Sequence, residues 1–470
     1  MNLFHRLHAP KYVLWLLLVL SVLAAPGFAA ESGPQQLEER IRKLESAAAG
    51  VNSGDNAWML TSSALVLMMT APGLILFYGG LVRSKNVLGT MMHSMFLMGL
   101  VSLLWAVFGY SMAFGDGTFF GNPMQYFMLK GVGEAPNPDY AATIPHQTFM
   151  LFQMMFAIIT PALISGAFAE RMKFTAFVWY MIGWVVLVYF PLAHMVWGKG
   201  GIFNWALGGK IPVLDFAGGT VVHISSGASA LVCALVLGKR DGYPHEPMPP
   251  HNVVLSLIGA GLLWVGWFGF NAGSAVSAGG LASKAFAATH FSAAAAALSW
   301  GVTEWYLKGH PSVLGVASGM VAGLATITPA SGFVTVPAAI VIGLIAGIIC
   351  YMAVTKLKMI CGYDDSLDVF GVHGMGSTIG MIACGLVASV QVNPLLASTF
   401  QVNGAPHSLA GGLWQLKNQM IGILVAAALG AIVSFVLLKI IDAVIGLRVD
   451  QEAESLGLDL AEHGEKAYND

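Results

Sequence analysis

Apolar residues along this chain gather into long runs, separated by short stretches rich in Gly, Pro and the few charges. A helix that crosses a bilayer needs about 20 mostly apolar residues. The pattern predicts eleven such helices between residues 56 and 446. Their centres fall near Leu67, Leu97, Ile158, Val185, Ser229, Leu263, Ala295, Gly319, Leu344, Met381 and Ala428. The expected class is therefore an all-α polytopic membrane protein.

Two flanking regions read differently. At the N-terminus Arg6 and Lys11 precede an apolar run, Val13 to Leu23, and the small residues around Gly27 to Ala30. That is the layout of a signal peptide over 1–30. Residues 31–55 carry Leu37, Ile41 and Leu44 at helical spacing among charges, a short amphipathic helix. The tail, 447–470, is acidic, with Asp450, Glu452, Glu454, Asp459, Glu462 and Glu465 against Arg448 and Lys466. By composition alone it reads as a solvated tail.

Basic residues set the expected orientation. Arg83, Lys85, Arg171, Lys173, Lys239, Arg240, Lys308, Lys356 and Lys358 all fall at alternate loops. Cytoplasmic loops carry the excess of Lys and Arg, which places the N-terminus outside and the C-terminus inside. An odd number of crossings agrees.

Composition narrows the class. The chain is 56% hydrophobic and 10% charged, with a mean hydropathy of +0.72; soluble domains average roughly 25% charged. Its 56 glycines suit helices that pack closely in lipid. A net charge of −2 gives no reason to expect nucleic acid. Cys233, Cys350, Cys361 and Cys384 lack metal-ligand spacing and read as small buried hydrophobes. No metal and no cofactor are expected.

Ionisable groups within spans are functional by default. Five histidines lie in or beside them: His93, His194, His223, His290 and His373. Two stand out. Leu214-Asp215-Phe216-Ala217-Gly218 precedes His223 and is echoed by Leu367-Asp368-Val369-Phe370-Gly371 before His373. With five helices between the copies, this is the pattern of an inverted repeat whose site lies at the midplane. Small residues follow both histidines, Ser226 and Gly227 after the first, Gly376 and Ser377 after the second. Such faces let helices approach until the imidazoles meet. His93, His194 and His290 have no counterpart and read as structural.

Asp215 lies eight residues before His223, a little over two turns, so the two share a face. Its carboxylate either fixes the backbone there or draws a cation; Asp368 is similar, nearer the inner end. Phe152 and Phe156 stand one turn apart. Their spacing does not assign them, nor do Trp197, Phe270 or Ser274 mean anything singly.

Taken in order, these segments resemble a known family. Asp215-Phe216-Ala217-Gly218-Gly219-Thr220-Val221-Val222-His223 looks like the signature of the Amt/Mep ammonium transporters. Phe77 to Gly80, Gly166 to Arg171, Ala193 to Gly198, Gly266 to Ser274, Asp368 to Gly374, and Gly457 to Asp459 with His463 to Glu465 match in order. The resemblance runs from about Asp55 to the C-terminus. It implies eleven helices in two inverted five-helix halves plus a last helix, a homotrimer and one pore per subunit in the inner membrane, with lipid around it. By motif, Trp197, Phe152 and Ser274 resemble an outer ammonium-recruitment site, and Phe156 and Phe270 the phenyl gate beneath it. His223 and His373 resemble twin histidines lining the pore, with Asp215 near its mouth and Trp267 and Thr328 along the conduit. The tail resembles one that packs across subunits and couples to PII signal proteins. The stretch from Trp197 to Asp215 is longer than is usual in bacterial members.

The constellation suits ammonium. An unpaired ion in an apolar medium costs tens of kcal/mol, and a desolvated cation–π contact returns about 2 kcal/mol. Aromatic rings can therefore gather ammonium at a wet mouth but cannot carry it through. Removing its proton at pH 7 costs about 3 kcal/mol, and potassium has no proton to give. Two neutral imidazoles sharing one N–H···N bond would leave one donor and one acceptor for ammonia and relay the proton. The rival readings are a Rh-like electroneutral gas channel for ammonia or carbon dioxide, and an ammonium sensor acting through a cytoplasmic partner. Neither a GxSxG elbow nor HExxH is present, and no enzymatic activity is expected.

Overall fold

The computed structural model describes residues 50–402 and 405–468. The predicted signal peptide and the Leu37–Ile41–Leu44 helix lie outside the described residues.

Eleven main helices follow one another: α1 Ser53–Leu81, α2 Ser84–Phe114, α3 His146–Ala167, α4 Phe174–Trp197, α5 Gly219–Leu237, α6 Val253–Gly273, α7 Gly280–Lys308, α8 Val313–Ile327, α9 Val336–Cys361, α10 Phe370–Val387 and α11 Leu413–Ile445. Each predicted centre falls in its own helix. Nine of them, among the described residues, are long and apolar enough to cross a membrane. The other two are α7, whose 29 residues are diluted by Ala, Ser and Thr, and α8, which has only 15. A short antiparallel hairpin, β1 Thr399–Val402 and β2 Ala405–Ser408, precedes α11.

The two helices that fall short, α7 by composition and α8 by length, pack closely on each other. A Cβ at Gly323 of α8 would lie 2.5 Å from Ala296 Cβ of α7, and one at Gly319 would meet Trp300. On α9, Gly343 and Gly347 back onto Ser292, Ala296 and Ser299 of α7. In lipid no hydrophobic force drives helices together, so association rests on close van der Waals packing of small residues. What lowered the apolarity of α7 is what lets three helices share one seam.

One end of the bundle carries short basic loops, the other the long loops 115–145, 198–218 and 388–412. At the basic end a buried ion network binds four segments. Glu170 receives Arg83 at 2.8 Å and Arg240 at 3.2 Å, and Arg240 also meets Asp364 at 2.9 Å. Burial alone would raise both acids, but Arg240 and Arg83 hold Glu170 below the usual carboxylate range, and Arg240 does the same for Asp364.

The tail is not a solvated strand. It forms α12 Gln451–Leu456 and α13 Leu458–His463, both folded onto the chain's own basic end. Lys85 Nζ donates to the carbonyls of Glu454 and Ser455, Gly89 N–H to Asp459 Oδ1 at 2.8 Å, and Phe174 N–H to Glu462 at 3.0 Å. Backbone groups left over at the starts of α2 and α4 take tail carboxylates, which composition could not reveal. Among the cysteines Cys361 is exposed at the end of α9, against the buried reading; the other three are buried.

Candidate functional site

The site grows from two matching helix starts. Before α5 the chain turns through Gly218 at φ +117°, and the Asp215 carboxylate then accepts from Gly218 N–H at 2.8 Å, Gly219 N–H at 2.6 Å and Thr220 N–H at 2.7 Å. The Thr220 hydroxyl donates to it as well. Asp215 is 1% exposed. With both oxygens engaged, it caps the helix and fixes the backbone ahead of His223.

The second start corrects the register of the repeat. Asp365 Oδ2 accepts from Phe370 N–H at 2.8 Å, and Asp365 stands eight residues before His373, as Asp215 does before His223. Asp368 therefore matches Gly218, not Asp215: both precede their histidine by five, and both have positive φ. The shared Leu-Asp pair drew the eye three residues too far along. The invariant spacing, Asp-x7-His in both copies, was the better signal.

Both histidines sit in wide π-helical turns, Gly219–Ile224 and Phe370–Gly374. The helices touch one turn on, where a Cβ at Gly227 would lie 2.5 Å from Gly374 Cα. That approach brings His223 Nδ1 to 3.2 Å from His373 Nδ1, the rings 12° from parallel. One ring must donate and the other accept, so one Nε2 is left as an acceptor and the other as an N–H donor.

Above the histidines stand aromatic rings. His223 stacks on Trp267 at 5.5 Å and lies 6.0 Å from Phe270. Phe270 and Phe156 face each other at 4.1 Å, closing the way from the long-loop end. Trp197 meets Phe156 edge-on at 6.0 Å, its indole N–H held by the Asp215 carbonyl at 3.1 Å. Ser274 donates to the Phe270 carbonyl, which leaves its oxygen free to accept.

Three cavities lie in sequence along this line. The outermost, ≈ 290 Å³, is lined by Phe156, Trp197, Asp215, Ser274, Gln153 and Tyr140 among others. Below the phenyl pair a space of ≈ 10 Å³ touches Phe270, Trp267, His223 and His373. The third, ≈ 180 Å³, opens towards the basic end past His373, Tyr78, Ser318 and Asp368.

Two of the residues singled out in the sequence sit behind the walls. Phe152 is fully buried and packs edge-on against Phe156 at 5.0 Å, outside the vestibule lining. Thr328 lines none of the three cavities; its hydroxyl receives the Trp267 indole N–H at 2.9 Å and so fixes that ring. The residue overlooked was Gln153. It shares a face of α3 with Phe149 and Phe156, and an amide in the apolar middle of that helix was the available sign. His93, His194 and His290 line none of these cavities. They pack against Phe177, the Ala113 carbonyl and Trp264 respectively.

The profile of the family described as "Ammonium Transporter Family" matches residues 57–468. The chain belongs to that family. An ammonium transporter of Bacillus subtilis is 49% identical over 418 residues, covering 89% of this chain and 99% of the relative. The ammonium transporter Amt1 of Archaeoglobus fulgidus is 43% identical, covering 89% and 100%. Among solved structures, Saccharomyces cerevisiae Mep2 superposes with a TM-score of 0.77 at 33% identity, covering 86% of this chain and 89% of that one. The profile match spans the helices that frame the two histidines as well as the docked tail.

Proposed function

We propose that this ammonium transporter gathers ammonium in the aromatic vestibule, takes its proton at the phenyl pair, and passes ammonia along His223 and His373. The observation that carries the reading is the imidazole pair in direct contact beneath the facing rings of Phe156 and Phe270. Trp197, Phe156 and Ser274 form the recruitment site, Phe156 and Phe270 the gate, and Trp267 the wall of the narrow segment. Phe152 and Thr328 support them from behind, and Asp215 holds the turn that presents His223. At the mouth, ring faces replace part of the water around the cation. Below, the space shared by Trp267, Phe270 and the histidines admits a small neutral molecule and excludes a hydrated ion.

In this reading all eleven helices cross the membrane, α1–α5 and α6–α10 as inverted halves and α11 as the last crossing. Their long-loop end faces outside and their basic end the cytoplasm, as the Lys and Arg distribution supports. The chain works as a homotrimer in the inner membrane with a pore in each subunit. Residues 1–30 act as a signal peptide, 31–55 as a periplasmic segment, 56–446 as the transport domain and 447–470 as a cytoplasmic tail that a PII-type protein engages.

The test is current from purified protein on a solid-supported membrane, on pulses of ammonium and then potassium. The expected outcome is a saturable ammonium current, none with potassium, and loss of that selectivity or of transport in His223→Ala. Ammonia flux with no current in the wild type would make the protein an electroneutral channel instead.

A further inference from the structure

A proton taken from ammonium has to leave the histidine pair, and the cavity beyond it contains one carboxylate. Of the two rings only His373 borders this cavity of ≈ 180 Å³, and among the described residues Asp368 is the sole acidic one on its lining. The space is large enough for several waters, whose bulk share is about 30 Å³ each.

Asp368 is held there at a conformational cost. Its φ of +60° is in the left-handed region, which residues with a side chain adopt uncommonly. The matching position in the first repeat is filled by Gly218, the residue that meets such a turn without strain. Strain retained where a glycine would relieve it points to a use for the side chain. Its carboxylate is 38% exposed and meets Lys358 Nζ at 2.8 Å. Asp365, five residues before Phe370, already supplies the helix cap, so capping does not explain the second acid.

We propose that Asp368 is the proton acceptor at the inner mouth. His373 gives up a proton through water in the cavity, the Asp368 carboxylate takes it as a neutral carboxyl, and it then releases the proton to the cytoplasm. No bond to carbon or nitrogen of the substrate changes in this step; one N–H is exchanged for one O–H and then for hydronium. The inference rests on the proton relay proposed above. The groups that set the balance are Lys358 from α9, Asp365 and Tyr363 in the same loop, Tyr243 from the loop before α6, Tyr78 from α1 and His373 itself.

Asp368→Asn and Asp368→Gly test the idea, since both residues accept positive φ and keep the turn. Each is expected to lower the ammonium current at least about tenfold, with an unchanged KM. A small mobile buffer such as imidazole on the inner side should restore the current. Lys358→Met removes the ion pair but leaves the acceptor. It should keep the current, because the carboxylate that takes the proton is still in place. Wild-type current in Asp368→Gly, or a Lys358→Met variant as inactive as Asp368→Asn, would overturn the assignment and leave the relay standing. Absence of current in the wild type would overturn the relay itself.

Discussion

At the scale of single residues, neighbours one position apart do different work. Phe152 is sealed in the core while Gln153 looks into the vestibule, although an aromatic reads from sequence as the better cation ligand. Ammonium has four N–H donors, and ring faces satisfy them only in part. An amide oxygen and the free lone pairs of Ser274 add directional acceptors. Gln153→Leu should therefore raise the KM for ammonium several-fold, on the order of one hydrogen bond to a charged group, with the maximal current within about twofold. Dose–response currents decide it: an unchanged KM removes Gln153 from the site. Asp365 offers a second residue-scale test. Burial pushes its carboxyl up from 3.8 to about 6, and its Oδ1 has no hydrogen-bond partner. A carboxyl whose folded pKa lies above its unfolded one opposes folding once ionised. Stability is thus lost as pH rises from about 4 through about 6. Asp365→Asn keeps an acceptor for Phe370 N–H and should add on the order of 1–3 kcal/mol of stability at pH 7.5, read as a higher melting temperature. The gain should vanish below pH 4.

At the scale of elements, the decisive contact is between α5 and α10. Gly227→Val would place branched carbons against Gly374, where even a Cβ comes to 2.5 Å. Overpacking costs about 1–3 kcal/mol, and here it also separates the imidazoles. The expected outcome is a folded protein with lowered melting temperature and little ammonium current; normal transport would show that the histidine contact is dispensable. This element scale is also where the sequence was most legible. Among the described residues nine of the predicted apolar runs are helices long and apolar enough to cross a membrane, because length and hydropathy are local properties that lipid selects directly. Small residues beside His223 and His373 foretold close approach, though Gly374 rather than Gly376 or Ser377 makes the contact. What stayed hidden depends on rotation and on distant partners. Helix phase turned Phe152 away from the vestibule, the match of Asp365 to Asp215 appears only when their caps are seen, and the docking of the acidic tail depends on backbone donors far along the chain.

For the whole molecule, the basic end is a clasp. Glu170 and Asp364 share Arg240, linking the loops after α3, α5 and α9, while Arg83 adds the loop after α1. Glu454 of the tail joins the same region through Arg448 at 2.7 Å and Asp241 N–H at 2.8 Å. Removing one partner of a buried pair leaves an uncompensated charge, at about 3–5 kcal/mol. Arg240→Met should accordingly destabilise strongly, since it strands Asp364 and leaves Glu170 with Arg83 alone, and adding Asp364→Asn should recover part of the loss. Acid should act in the same direction. Both carboxyls have folded pKa values below their unfolded ones, so their contribution is complete above about pH 4.5 and is lost as pH falls through the lowered values. Melting curves of the wild type and Glu170→Gln between pH 3 and 7 test this. The wild type should lose more stability on acidification than the variant, whereas parallel curves would show that the arginines do not hold Glu170 ionised. The clasp is joined to the third cavity by one short loop, which carries Asp364 in the clasp and Asp368 on the cavity lining. Loosening it should therefore slow the proton's exit before it affects ammonium capture: in Glu170→Gln the current should fall while the KM set at the opposite end of the pore stays constant.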